Sequence, residues 1–333
     1  MLIRGVVKTI LGSTFLTREG SRRIGPAVVV LCYHDICSDD DFTSWMRVPL
    51  SMFKRHLKML KRVGRFISPY DLFDPIRLAT DRLNLMVTFD DGYINLLRMA
   101  LPLLSQHQIP ALVFISTRPM IEQKPFWPDV FITPIQTLRI RELDLKDFGF
   151  GVYSFRENDD VGRWEDVQHL LEDVKAVGNT EHPKVSALLT YMNEQFRGSL
   201  AAHLSRFRPM ATDEVRKLSA TPWVTVGAHG HDHSILTYLT NETLDMNLLE
   251  PRRILEEVTG KPPTDLAYPN GDVDDRVVRC AAEAGYVRGW TTQEGLLLGE
   301  MDMYRLPRIM IGAFDTPSTI GWKINRLIWS ARG

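Results

Sequence analysis

Leu83-Asn84-Leu85-Met86-Val87-Thr88-Phe89-Asp90-Asp91-Gly92-Tyr93 reads as a buried strand that stops on two carboxylates and a turn. A helical pattern follows over residues 93–107, and residues 111–115 are predicted as the next strand. The same alternation extends in both directions. Upstream, residues 27–32 form a continuous β-branched run that ends in Tyr33-His34-Asp35. Between these strands, Phe53, Leu57 and Leu60 take helical spacing over residues 51–63, from a Ser start signal to Gly64. Downstream, residues 213–218 are predicted as a helix capped by Thr212. The strand 223–226 then runs into Gly227-Ala228-His229, and the helix 241–259 closes on Gly260 and Pro262. The strand 265–268 leads into Pro269-Asn270-Gly271. A helix over 273–284 and strands over 286–291 and 308–311 complete the series. Alternating strands and helices specify an α/β fold with a mainly parallel sheet.

Each unusual polar cluster falls just after a strand: Tyr33-His34, Asp90-Asp91, His229 to His233 and Pro269 to Gly271. In a parallel barrel the C-terminal strand ends share one face, so these clusters should converge. Residues 119–208 interrupt the alternation with Trp127-Pro128, a hairpin around 142–155 and helices near 161–177 and 183–196. They read as an insertion whose root lies near the site, so it should line and narrow one side of the cleft. The composition is that of a soluble globular protein, with 44% hydrophobic and 24% charged residues among 333. A net charge of −1 argues against nucleic acid as a partner. Three cysteines without a CxxC pair argue against a disulfide framework or a cysteine zinc site, and reduced thiols fit the cytoplasm.

Two clusters carry chemistry. In His229-Gly230-His231-Asp232-His233, a His pair four apart on one side of a helical turn could reach one metal. The plain alternative is a His-rich loop without function. In Asp90-Asp91, alternating side chains could send one carboxylate to a metal and the other to a reacting water. The plain alternative there is a helix cap and turn. Taken together, one Asp and two His make a three-ligand site with open positions, beside a spare carboxylate that can serve as a general base.

At this point the chain resembles the polysaccharide deacetylases of carbohydrate esterase family 4, the chitooligosaccharide deacetylase homology domain. Thr88 to Tyr93 (TFDDGY) is similar to its first motif, His229 to His233 (HGHDH) to its second, and Ala267 to Gly271 (AYPNG) to a variant of its third. Residues 30–36 (VLCYHDI) and 304–309 (YRLPRI) resemble the subgroup whose barrel begins with a Tyr-His strand. The resemblance implies a distorted (β/α)7-type barrel over residues 27–317, carrying a large α+β insertion at about 119–208. Amphipathic segments at 1–26 and 318–333 flank it.

The resemblance also implies roles. Asp91, His229 and His233 become the metal ligands, for zinc first, with iron, nickel and cobalt also suited. Asp90 becomes the catalytic base, and the Tyr93 N–H serves an oxyanion hole. In the subgroup with the Tyr-His strand that His is the general acid, which implies this role for His34. None of the nine histidines follows His233, so the family's late Leu-x-His motif is absent, and either His34 takes the role or the acid is missing. Gly230 replaces the usual Ser/Thr, and the usual Arg before Tyr268-Pro269 is missing. Arg308 is a candidate to hold Asp90 ionised, its alternative being a salt bridge on the barrel rim. His231 is expected beside the ligands rather than among them. Trp127, Trp290 and Tyr268 are candidate sugar platforms.

The implied activity is metal-dependent removal of an N-acetyl group from an amino sugar, releasing acetate. Its rivals are an amidohydrolase of the same fold acting on a non-sugar amide or imide, and a carbohydrate-binding homologue without activity. The expected partner is an N-acetylated saccharide, in a lipid- or nucleotide-linked precursor of a surface glycan. The start of the chain has no long unbroken apolar core, so neither a signal peptide nor a membrane span is expected. Residues 1–26 carry a net +4 and residues 318–333 a net +3, against −8 for the remainder. This charge, with apolar stripes at Leu2, Ile3, Val6 and Val7 and at Ile320, Ile324, Leu327 and Ile328, allows peripheral contact with the inner face of the membrane. The alternative is that the terminal helices cover core.

Overall fold

The computed structural model describes residues 26–331, apart from 42, 43, 45 and 73. The apolar stripe expected in residues 1–11 lies outside the described residues. The chain begins with β1 (Val28–Tyr33), the short strands β2 (Asp35–Cys37) and β3 (Arg47–Pro49), and α1 (Leu50–Val63). It continues through β4 (Gly64–Phe66), β5 (Leu83–Phe89), α2 (Leu101–Gln106) and β6 (Ala111–Ile115). The insertion holds α3 (Thr117–Glu122), α4 (Trp127–Thr137), the antiparallel hairpin β7 (Glu142–Asp144) and β8 (Val152–Ser154), then α5 (Asp160–Val177), α6 (Pro183–Gln195) and α7 (Arg197–Phe207). The alternation resumes with α8 (Thr212–Ser219), β9 (Val224–Ala228), α9 (Asn241–Thr259), β10 (Asp265–Ala267) and α10 (Asp275–Glu283). It finishes with β11 (Arg288–Trp290), β12 (Ile309–Met310) and α11 (Pro317–Ser330).

Eight parallel strands make one sheet in the order β11-β10-β9-β6-β5-β1-β12, with β4 beside the first half of β5. The sheet curls into a half-barrel of the (β/α)7 type. Both faces are covered, which is why its strands read as unbroken apolar runs. In β1, Val29, Leu31 and Tyr33 pack under the helices, while Val28 and Val30 point into the barrel with Met86, Leu112 and Phe114. Each such side chain, fully buried, contributes about 1.5–3 kcal/mol. The insertion has a core of its own around Phe131, Ile135, Val167, Leu170 and Leu188. Its fully buried Arg163 donates to the carbonyls of Ile135 and Ile140 and so holds the end of α4.

Several local readings are corrected. Gly64 does not form a left-handed cap. Its backbone is extended (φ −151°), and it begins β4 where a Cβ would lie 2.6 Å from Leu85 Cγ. A close pass of two strands, not a helix stop, requires this glycine. The cap of α8 is Ala211 rather than Thr212, and the Glu214 side chain accepts the Ala211 N–H at 2.7 Å. The helix expected over 93–107 contains a wide π turn at Leu96–Ala100, directly before α2. Pro102 lacks an N–H, and the Leu101 N–H bonds back to the Leu96 carbonyl instead. Helices α3, α4 and α7 were not anticipated; Pro128 and Pro134 lie inside α4 and mask its periodicity.

Of the two readings of the C-terminal stripe, the structure takes core coverage. Ile320, Ile324 and Ile328 are fully buried in the main core, while Lys323 and Arg326 pair with Asp315 and Glu294. This face is used up by packing on the barrel and is not available to a membrane. Among the described residues no helix is long and apolar enough to cross one. Ile324→Ala should therefore cost roughly 2–5 kcal/mol of stability. The check is a lower denaturation midpoint at unchanged slope in urea unfolding.

Candidate active site

Two carboxylates with opposite fates follow β5. The Asp90 N–H still donates to the Tyr33 carbonyl at 2.9 Å, so Asp90 keeps the strand's geometry and points inward. Asp91 and Gly92 then both take left-handed backbone (φ 71° and 80°), a conformation Asp tolerates better than most residues. This turn separates neighbouring side chains more sharply than simple alternation does. Asp90 receives both terminal nitrogens of Arg308, at 2.6 and 2.8 Å. The Arg308 Nε donates to the Thr291 carbonyl at 2.9 Å, and the guanidinium lies over the Phe114 ring. Both partners are buried inside the barrel, not on its rim. Burial acts to raise the Asp90 carboxyl, but the charge and hydrogen bonds of Arg308, together with His229 and His34, outweigh it and hold the group below the usual carboxylate range.

Asp91 faces the histidines. Its Oδ1 lies 3.3 Å from His229 Nε2 and 3.1 Å from His233 Nε2. The three donor atoms lie within 4.8 Å of one another. His229 Nδ1 donates to the Ala267 carbonyl at 2.8 Å, which leaves the Nε2 lone pair directed at the cluster. Asp91 Oδ1 is buried yet has no hydrogen bond of acceptable geometry. An anionic oxygen and imidazole nitrogens that converge without hydrogen-bonding fit a divalent cation. Burial acts to raise the Asp91 carboxyl, but His233 and His229 outweigh it and hold the group well below its ordinary value. The HGHDH segment is a loop rather than a helical turn. Gly230 (φ 70°) and His233 (φ 63°) are both left-handed, which accounts for glycine at a position where the family usually has Ser or Thr.

His34 lines the same pocket of about 280 Å³ as Asp90, Asp91, Tyr93, His229 and His233. Burial pushes its imidazole below the ordinary value, opposed by Asp91 and Asp90. The Tyr93 N–H donates to no described residue, while its hydroxyl donates to Asp129 of α4 at 2.8 Å. Burial pushes the Asp129 carboxyl up to about 7. His231 stands outside the ligand cluster, with its Nδ1 2.9 Å from Thr117 Oγ1. Trp290 is fully buried and donates to Asp265, so it cannot serve as a sugar platform. Trp127 does line the pocket, as do Trp164 and Lys175 of α5. Sequence reasoning missed two supports of the second motif. Asn247 accepts the N–H groups of His231 and Asp232, and Ser116 donates to the His229 carbonyl at 2.7 Å. The available signal was a polar residue between Leu244 and Leu248 on the buried face of α9.

The sequence model of the polysaccharide deacetylases matches residues 78–289, well over half of the chain. The chain belongs to the polysaccharide deacetylase family. As a member, it is a hydrolase of carbon–nitrogen bonds that deacetylates N-acetyl sugars. The Bacillus subtilis (strain 168) protein YxkH, whose name assigns it to the same family, is 20% identical over 297 residues. That match covers 88% of this chain and 74% of YxkH. Two solved structures share the fold. The deacetylase PplD of Streptococcus pyogenes, in complex with acetate, aligns over 90% of this chain and 99% of its own, with TM-score 0.56 and 14% identity. IcaB from Ammonifex degensii aligns over 90% and 98%, with TM-score 0.56 and 17% identity.

For this deacetylase, replacing Arg308 tests the electrostatic account. Arg308→Met leaves burial of Asp90 opposed only by His229 and His34, so its carboxyl titrates at higher pH and its ionised form is lost sooner on acidification. The acid limb of the pH–rate profile should move to higher pH. Stability at neutral pH should fall by roughly 3–5 kcal/mol, because a buried charge loses its partner. Arg308→Lys keeps the charge without the fork and should shift the limb less.

Proposed function

We propose that the protein is a metal-dependent deacetylase that hydrolyses the N-acetyl group of an amino sugar in a glycan or glycan precursor. One observation carries this reading: Asp91, His229 and His233 converge in the same pocket as an Asp90 clamped by Arg308. Asp91, His229 and His233 would hold the ion, zinc first among the metals suited to two imidazoles and a carboxylate. When bound, it supplies Lewis acidity toward water and the acetyl carbonyl. Asp90 takes a proton from the water that attacks the carbonyl carbon, and Arg308 keeps that base ionised. The Tyr93 N–H donates to the oxygen on which negative charge develops. His34 protonates the leaving nitrogen as the C–N bond breaks. The burial that lowers its pKa makes its imidazolium a stronger acid, and Asp90 and Asp91 oppose loss of its proton. Acetate and a free amine result.

Asp90→Asn should abolish acetate release while elemental analysis still finds metal in the purified protein. His233→Ala should lose both. An active Asp90→Asn protein would remove the base assignment.

We further propose that the substrate is a lipid- or nucleotide-linked saccharide handled on the cytoplasmic face of a membrane. Support comes from the basic, apolar character of residues 1–26 and from three cysteines that form no disulfide. The full-length protein should float with anionic liposomes at low salt and lose this on removal of residues 1–20. Failure of the full chain to float would reject the placement.

A further inference from the structure

The pocket has two walls of different origin. One is the barrel, with the candidate metal site at its base. The other is α5 of the insertion, which presents Trp164, Leu171, Glu172 and Lys175 to the same space. The two walls are tied together. Lys175 Nζ donates to Asn270 Oδ1 at 2.8 Å, across 95 residues of sequence, and to Glu172 Oε1 at 2.8 Å. Asn270 belongs to the third motif and is itself held in place. It is left-handed (φ 62°), its amide donates to Asp272, and its carbonyl accepts the Thr292 hydroxyl. The resulting bridge runs from the lobe to the barrel loop beside the site. The space, about 280 Å³, is near the lower end of the roughly 300–1,000 Å³ of small-molecule sites. It suits one sugar rather than a run of several. A neighbouring cleft shares Phe126, Trp127 and His233 with the pocket and carries polar side chains such as Arg118, Lys124 and Asn193. It offers the remainder of a glycan a place to lie.

We propose that the Lys175–Asn270 bridge ends the substrate cleft, so that the enzyme deacetylates the sugar at a chain end and excludes sugars inside a polymer. An internal sugar needs an exit for the chain on both sides, and the bridge blocks one of them. Lys175 is thus a specificity-determining residue supplied by the insertion. The inference rests on the deacetylase reading of the site.

The test uses zinc-loaded full-length protein and N-acetylglucosamine oligomers from dimer to hexamer, with mass spectrometric sequencing to locate each lost acetyl group. The wild type should deacetylate only a terminal residue at every length. Lys175→Ala should raise the ratio of internal to terminal product by about tenfold, the scale of one lost hydrogen bond to a charged group. Lys175→Arg, which can still donate to Asn270, should keep the terminal pattern. The position of cleavage is a readout that simple destabilisation does not move. Internal deacetylation by the wild type at the terminal rate, or an unchanged distribution in Lys175→Ala, overturns the inference. Failure of the underlying reading looks different: neither protein releases acetate from any oligomer, and both proposals fall together.

Discussion

A guanidinium and a carboxylate sealed inside the barrel set the frame for the rest of the site. Arg308 stands just before β12 and Asp90 just after β5, with β1 between those strands. Their two short hydrogen bonds therefore tie together sheet positions that share no direct strand pairing. Inside a medium of low dielectric, neither charge is tolerable alone, so each loop is held where the other needs it. Thr88, Thr291 and the Phe114 face surround the pair, and the Cys32 Sγ lies 3.4 Å from Asp90 Oδ2. A carboxylate that stays ionised while buried requires such a partner, and the barrel interior supplies it.

The left-handed turn after Asp90 gives two adjacent carboxylates different partners. Asp90 remains part of the sheet and answers to Arg308. Asp91 leaves the sheet and answers to the histidines. The His229 ring is oriented by the Ala267 carbonyl, and the loop that carries His233 is held by Asn247 and Ser116. The Asp91-His229-His233 cluster thus depends on β5, β9, β10 and α9 together. Each of these elements is secured by the apolar packing that makes the sheet.

The insertion is built differently. It has a separate core, against which Met46 and Phe314 from outside the insertion pack, and is also joined to the barrel by directed contacts, among them Tyr93–Asp129 and Lys175–Asn270. Phe126 also packs edge-on against the His233 ring at 5.2 Å. The lobe therefore shapes the space above the ligand cluster without contributing to the sheet beneath it. The barrel carries the Asp-His-His cluster and the Asp90–Arg308 pair, and the lobe lines the space above them.

By itself, the sequence determined the alternation of strands and helices and the polar stops at Asp90-Asp91 and His229–His233. These are local signals: a run buried on both faces must be apolar throughout, and a turn must declare its polar or left-handed residues nearby. The helices α3 and α4 were hidden because prolines within them obscure the apolar period. The tertiary structure alone decided that Arg308 grips Asp90 with both nitrogens across 218 residues, that Trp290 is core, and that the α11 stripe is spent on packing. It also decided where the lobe sits and that Lys175 meets Asn270. Those outcomes depend on strand order and on the curl of the sheet, which bring distant residues to one face of the barrel, and no local pattern encodes which of the many charged and apolar side chains will meet there.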